Sequence, residues 1–354
     1  MIKKYLPLLI ILFLVLAACQ PAATPTAQPQ TLTVMTHDSF SVSEDLVKQF
    51  EVENNATLVF IKGGDTGAAL NRLILTSVDS KTPEADVFYG LDNIFLSRAL
   101  DQGLFESYQP AALESIPAEF KLDPTFKVVP VDYGDVCINY DKAWFTKNNL
   151  ELPNSLQDLT KPEYNGLLVV ENPATSSPGL AFMMASIAEF GESGWLDWWQ
   201  ALKDNNVTVV SDWETAYYSN FSGSSGKGPQ PMVVSYASSP VAELIYAETK
   251  LSESPTGSLV APGMCWRQVE FAGILKNTPS RALAEKFIDF LLSKPFQEDV
   301  PMQMFVYPVL PDAVLPEGFV IASQIPETVG ALDPALIAAN RDAWVNDWTN
   351  LMLK

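Results

Sequence analysis

The sequence predicts an α/β protein of two lobes, each built on a largely parallel sheet with covering helices. Three observations carry that reading. Short apolar runs alternate with amphipathic stretches in the order strand, helix, strand, helix. The turns from strand to helix are rich in glycine and small polar residues. Roughly 320 residues follow a leader-like start, enough for two cores of ordinary domain size.

The folded part opens with a strand over 32–36 (LTVMT). A helix follows from Ser43, a residue able to cap it, with Glu44 and Asp45 in its first turn. Leu46, Val47 and Phe50 supply its buried stripe. A strand over 56–61, the turn Gly63-Gly64-Asp65-Thr66-Gly67 and a helix from about Ala68 come next, then a short buried strand over 85–90 (ADVFYG). Further strands are expected at 128–131, 136–140, 166–171 and 232–236. A helix over about 178–190 follows the turn Thr175-Ser176-Ser177. Trp195, Trp198, Trp199 and Leu202 fall on one helical face, which makes them core rather than an aromatic binding box. Ser280 is placed to cap a helix running to Leu292. Asp333 and Pro334 start a last helix lined by Ile337, Trp344, Trp348 and Leu351.

Lys3 and Lys4, the apolar run 8–16 and the small residues before Cys19 follow the order of a secretory signal. The run is about ten residues, half of the ~20 that a spanning helix needs. Cys19 after Leu16-Ala17-Ala18 resembles a lipoprotein box, in which the cysteine is lipidated; the plain alternative is an ordinary cleaved signal. The segment 20–30 (QPAATPTAQPQ) cannot bury enough surface to fold and reads as a tether. Residues 1–18 are therefore expected to be a signal and 19–31 a lipidated cysteine with its tether. The protein should be exported and lipid-anchored to the membrane, facing the periplasm or cell exterior.

The formal charge of −20 becomes −22 once Lys3 and Lys4 leave with the signal. So acidic a surface argues against nucleic acid or anionic lipid as the main partner; it would favour approach of a cationic solute, and solubility alone explains such acidity as well. Cys137 and Cys265 remain after Cys19. They could pair as one disulfide or stay two buried thiols, and nothing in the sequence decides between these.

Catalysis finds little support. The chain has one histidine, His37, which excludes His-rich metal sites. No G-x-S-x-G elbow, P-loop or G-x-G-x-x-G fingerprint is present. No cofactor is implied. Binding fits better, because three strand-to-helix turns carry small polar residues where open α/β sheets hold ligands. They are Asp65-Thr66, Ser176-Ser177 and Ala237-Ser238-Ser239-Pro240 after Tyr236. Backbone N–H groups at helix starts can hold an oxyanion or a polar ring edge.

At these turns the chain resembles the thiamine-binding receptors of thiamine ABC importers, members of the two-lobed class II solute-binding proteins. The matching segments run from LTVMTHDSF (32–40), GAALNRL (67–73) and ADVFYGLDN (85–93) with GLF (103–105) to VPVDYGDVCINYDK (129–142). They continue with ENPATSSPGL (171–180), VTVVSDWETAYY (207–218), VVSYASSP (233–240), FVYPV (305–309) and AWVNDW (343–348). The resemblance implies two lobes joined by two crossover strands with the ligand between them, lobe one being 32–130 plus about 268–354 and lobe two 131–267. The lobe that the last helix joins is not readable. It also implies thiamine or a thiamine phosphate as ligand, an importer permease as partner, and a monomer.

Carried over residue by residue, Asp65 and Thr66 take a thiamine-contacting place, although the family usually has glycine at Thr66. Ser176 and Ser177 match a Ser-Thr pair at the phosphate or hydroxyethyl end. Trp213 matches the tryptophan of the family's G-W-S-E-A-Y segment, here D-W-E-T-A-Y, and Tyr236 to Pro240 its Y-T-T-S-P. The thiazolium ring is a permanent cation, which Trp213 and Tyr236 could stack on and Asp65 could balance. His37 stands where the family has tyrosine, Phe305 replaces a tryptophan, and a tryptophan after the first motif is missing. A related pyrimidine or other heteroaromatic, a polyamine, an oxyanion and ferric ion (through Tyr217-Tyr218) are the rival ligands. A surface hydrolase and a signalling sensor are the rival classes.

Overall fold

A computed structural model describes residues 28–77 and 82–354; the expected signal, Cys19 and most of the expected tether lie outside the described residues. The first stretch alternates as predicted: β1 (Gln30–Thr36), α1 (Glu44–Asn54), β2 (Ala56–Lys62), α2 (Thr66–Ser77), β3 (Val87–Asp92), α3 (Leu96–Asp101) and β4 (Phe105–Glu106). The middle holds β5 (Val129–Asp141), α4 (Lys142–Asn148), β6 (Leu168–Glu171), α5 (Ser177–Asp204), β7 (Thr208–Val210), β8 (Met232–Tyr236), α6 (Pro240–Ile245) and β9 (Thr256–Leu259). The chain ends with β10 (Trp266–Leu275), α7 (Arg281–Leu291), α8 (Lys294–Gln303), β11 (Tyr307–Pro308), α9 (Glu317–Ala322) and α10 (Pro334–Met352).

One sheet runs in the order β2-β1-β3-β10-β5-β8-β6-β7. The outer sets β2-β1-β3 and β8-β6-β7 are each parallel. Between them β10 and β5 lie antiparallel to each other and to their outer neighbours. The first half of β5 pairs with β10, and from Val136 onward it pairs with β8 and β9. Two strands thus belong to both halves, which makes the fold a two-lobed α/β structure with two crossovers.

Three local expectations change. The runs 128–131 and 136–140 are one continuous strand, because Tyr133 and Gly134 are laddered to Val269 and Gln268. Pairing across the sheet overrides the polar interruption in the local pattern. Ser43 and Ser280 precede helices without capping them: the Ser43 hydroxyl donates to Asp299, and that of Ser280 to the Thr31 carbonyl. Asp333 does cap, accepting from the Ala335 N–H at 2.8 Å.

Helix α5 breaks at Gly191 (φ 70°), and its second part buries Trp195, Trp198 and Trp199 as core. Trp199 meets Trp348 of α10 edge-on, ring centres 5.4 Å apart, so the last helix packs on an element between the crossovers. Its Arg341 reaches back to lie 5.2 Å over the Phe95 ring beside β3. Cys137 and Cys265 form a disulfide, which ties the two crossover strands where Val136 pairs with Trp266.

Candidate ligand-binding site

The carboxyl ends of parallel strands on both sides of the crossovers face one cleft. Counting its mouth, the cleft encloses about 650 Å³. His37 follows β1, Asp65 and Thr66 open α2, and Tyr236 ends β8 with Ser239 just beyond. Glu270 enters from crossover β10, and Met304, Phe305 and Val306 from the segment after α8. Trp213, Tyr217 and Tyr218 come from the turn after β7.

Trp213 is half-buried and stacked on Tyr217, ring centres 5.0 Å apart and planes 22° from parallel. Its indole N–H donates to Ser235 Oγ at 2.9 Å, and that oxygen lies 2.8 Å from Ser239 Oγ. The ring is therefore held at one angle against the cleft. Tyr218 meets it edge-on at 5.6 Å. Both tyrosines sit on a π-helical turn (Thr215–Asn220), a form often found at functional sites. The Tyr236 ring crosses β5 at Gly134, where an added Cβ would come within 2.6 Å of it.

Buried carboxylates stand in and near the cleft. Burial raises the Asp65 pKa; hydrogen bonds from Ser176 and the Thr66 N–H, and the charge of His37, work the other way. Burial and then Glu270 push Asp132 well up, although its carboxylate accepts from the Tyr89 hydroxyl. Glu171 is raised by burial and by Asp65. At Asp92 burial outweighs the hydrogen bonds from Ser177, Phe95 and Ile94 and brings the carboxyl to about 6. Of the acidic residues, Asp65 and Glu270 line the cleft itself, and a concave wall that carries carboxylates attracts cations.

His37 lies against Gly90, whose φ of +98° suits glycine and where an added Cβ would meet the imidazole Cδ2 at 2.4 Å. Gly90→Ala should lower stability by about 1–2 kcal/mol, the cost of an L-residue in left-handed backbone. Thermal unfolding checks this; an unchanged midpoint would contradict the tight approach.

Of the residues singled out from the sequence, His37, Asp65, Thr66, Trp213, Tyr236, Ser239 and Phe305 line the cleft. Ser176, Ser177, Ala237, Ser238 and Pro240 are buried and stand behind that lining. Ser176 caps α5 through the Gly179 N–H, Ser177 donates to Asp92, and Ser238 donates to the Phe305 carbonyl at 2.5 Å. Thr66 gives its hydroxyl to the Gly90 carbonyl at 2.9 Å. The sequence reading missed Glu270, Ser39, Pro178, Ala242, Met304 and Val306. A signal for Glu270 was present: an acid inside the apolar run WRQVEFAGIL, where burial on both faces makes a charge costly unless it is used. Among the described residues no group of three His, Cys, Asp or Glu side chains is arranged to hold a metal.

Strands shared by two lobes, with an aromatic and acidic cleft between them, define a two-lobed solute-binding protein. Residues 82–318 match the bacterial extracellular solute-binding protein family, and the chain belongs to it. A relative named thiamine-binding periplasmic protein, from Salmonella typhimurium, is 33% identical over 98% of each chain. A solved structure described as a periplasmic thiamin binding protein superposes with a TM-score of 0.80 at 30% identity, over 92% of this chain and 98% of that one. The resemblance read from the motifs is borne out. A ferric binding protein from Campylobacter jejuni (TM-score 0.67, 19% identity, 90% of this chain and 99% of that one) shares the fold alone. The chain is a solute-binding protein by family, and these relatives are binding proteins by name. No helix of the described residues is long and apolar enough to cross a membrane.

Proposed function

We propose that this protein is the lipid-anchored, monomeric receptor of an ABC importer, capturing thiamine or one of its phosphates outside the cell membrane and handing it to the permease. Its close relatives carry that ligand in their names. The observation that carries the reading is a half-buried Trp213, locked by Tyr217 and Ser235, on the wall of a carboxylate-lined cleft. A flat, permanently cationic ring is the guest such a wall suits, at roughly 0.5–2 kcal/mol or more when dry. The lobes close by bending at crossovers β5 and β10. The signal-like start and Cys19 supply the anchor, and residues 20–30 the reach from the bilayer.

Trp213→Ala should weaken thiamine binding about tenfold or more in calorimetry, with the circular dichroism of a folded protein retained. Unchanged affinity would remove the stacking role. Calorimetry with thiamine, its mono- and diphosphate and the free pyrimidine ranks the candidate ligands. Mass spectrometry of the membrane fraction, with and without Cys19→Ser, tests the lipid.

A further inference from the structure

We infer that Glu270 is the group that selects cationic ligands, and that His37 is its resident counter-charge, which gives up a proton when such a ligand binds. This rests on the cleft receiving a fixed cation such as thiamine.

His37 Nε2 lies 3.4 Å from Glu270 Oε2, and their side chains are 12% and 9% exposed. Both line the cleft. The approach is a contact of charges rather than a formed hydrogen bond, since His37 Nε2 is buried and has no hydrogen-bond partner. The other oxygen of Glu270 accepts from Gln268 Nε2 at 2.9 Å, and the same nitrogen donates to the Tyr236 hydroxyl at 2.9 Å. One side of the carboxylate is thus fixed by the protein. The other faces a cation that can leave.

Glu270 reaches His37 from β10, Asp132 from β5, Asp65 from the turn before α2, and the Tyr89 ring, centred 5.8 Å away, from β3. Asp38 turns aside to accept from the Gly64 N–H at 3.0 Å. Tyr236 of β8 stands by Glu270. Asp132 is engaged by Tyr89, and Asp65 by the N–H groups of Thr66 (2.8 Å) and Trp213 (3.4 Å). Glu270 is left as the carboxylate that meets His37 directly.

Burial works against a charged His37. The Glu270 carboxylate, helped by Asp65 and Asp132, more than offsets this and raises the imidazole above its usual value of 6.5. A thiazolium brings a second positive charge into the same enclosed space, where repulsion between like charges is strong. Loss of the His37 proton removes that repulsion. The charge then balances: one fixed cation enters, one proton departs to solvent, and Glu270 exchanges one positive partner for the other.

Below the pH at which free His37 titrates, the proton competes with the ligand, and affinity should rise with pH by up to about tenfold per unit. Above that pH the His37 contribution is flat. The free pyrimidine, which carries no fixed charge, should show no such slope above the pH at which its own ring protonates.

His37 is the chain's only histidine, so its imidazole gives a single Cε1–H proton resonance set. In the free protein that resonance should titrate above the ordinary imidazole value, and Glu270→Gln should move its midpoint to lower pH. Saturation with thiamine near the free midpoint should drive it to the neutral position. Calorimetry in buffers of different ionisation enthalpy, at a pH below that midpoint, should show close to one proton released per thiamine, and close to none in His37→Tyr. A resonance that stays at its charged position under saturating thiamine overturns the proposal, as does equal proton release in His37→Tyr. Failure of thiamine to bind at all would instead overturn the functional reading and the release with it. The free-protein titration and its shift in Glu270→Gln would still judge the His37–Glu270 pair.

Discussion

Glu270→Gln is expected to weaken thiamine binding by at least about thirtyfold at neutral pH, since removing one partner of a desolvated charge pair costs about 2 kcal/mol or more. Glutamine keeps the shape and can still accept from Gln268, so the change removes charge while retaining the contact at 2.9 Å. The free pyrimidine, which carries no fixed charge, should lose far less. Calorimetry with the two ligands separates the cases. An equal loss for both would mean that the substitution had disturbed the cleft rather than discharged it, and no loss for thiamine would leave Glu270 without a role in recognition.

The second large effect concerns stability. Replacing Cys137 and Cys265 together by alanine should cost about 4–5 kcal/mol in guanidinium unfolding, the loop-entropy expectation for a bond that closes 128 residues. Both sulfurs are buried, so alanine leaves no unsatisfied polar group behind. The bond joins the two strands that both lobes share, and its loss should therefore lower the unfolding of the whole molecule rather than that of one lobe. An unfolding midpoint equal to that of the parent protein would show that pairing of β5 with β10 alone holds this region.

Much of the site was legible because strand-to-helix turns announce themselves locally. Gly63-Gly64-Asp65-Thr66 and Tyr236 to Pro240 carry the small residues that such turns require, and the structure brings Asp65, Thr66, Tyr236 and Ser239 to one cleft. Periodicity also separated the tryptophans: Trp195, Trp198 and Trp199 at helical spacing are core, whereas Trp213, outside any such stripe, is half-buried at the cleft. Local pattern was a poorer guide to side-chain partners. Nothing local tells what the hydroxyls of Ser176 and Ser177 meet: the first accepts from the Gly179 N–H and donates to Asp65, and the second donates to Asp92. Serine satisfies whichever acceptor or donor folding places beside it, and that neighbour can be 85 residues away, as Asp92 is from Ser177.

By itself the sequence determined the α/β alternation, the positions of the turns, the acidity and the family, because these depend on the order of neighbouring side chains and on composition. Tertiary structure alone decided that 129–141 is one strand, that Cys137 meets Cys265, that α10 returns to α5, and that Glu270 faces His37. Each of these joins residues far apart in the chain, and the distance between such residues is set by sheet register and packing, which no local periodicity encodes.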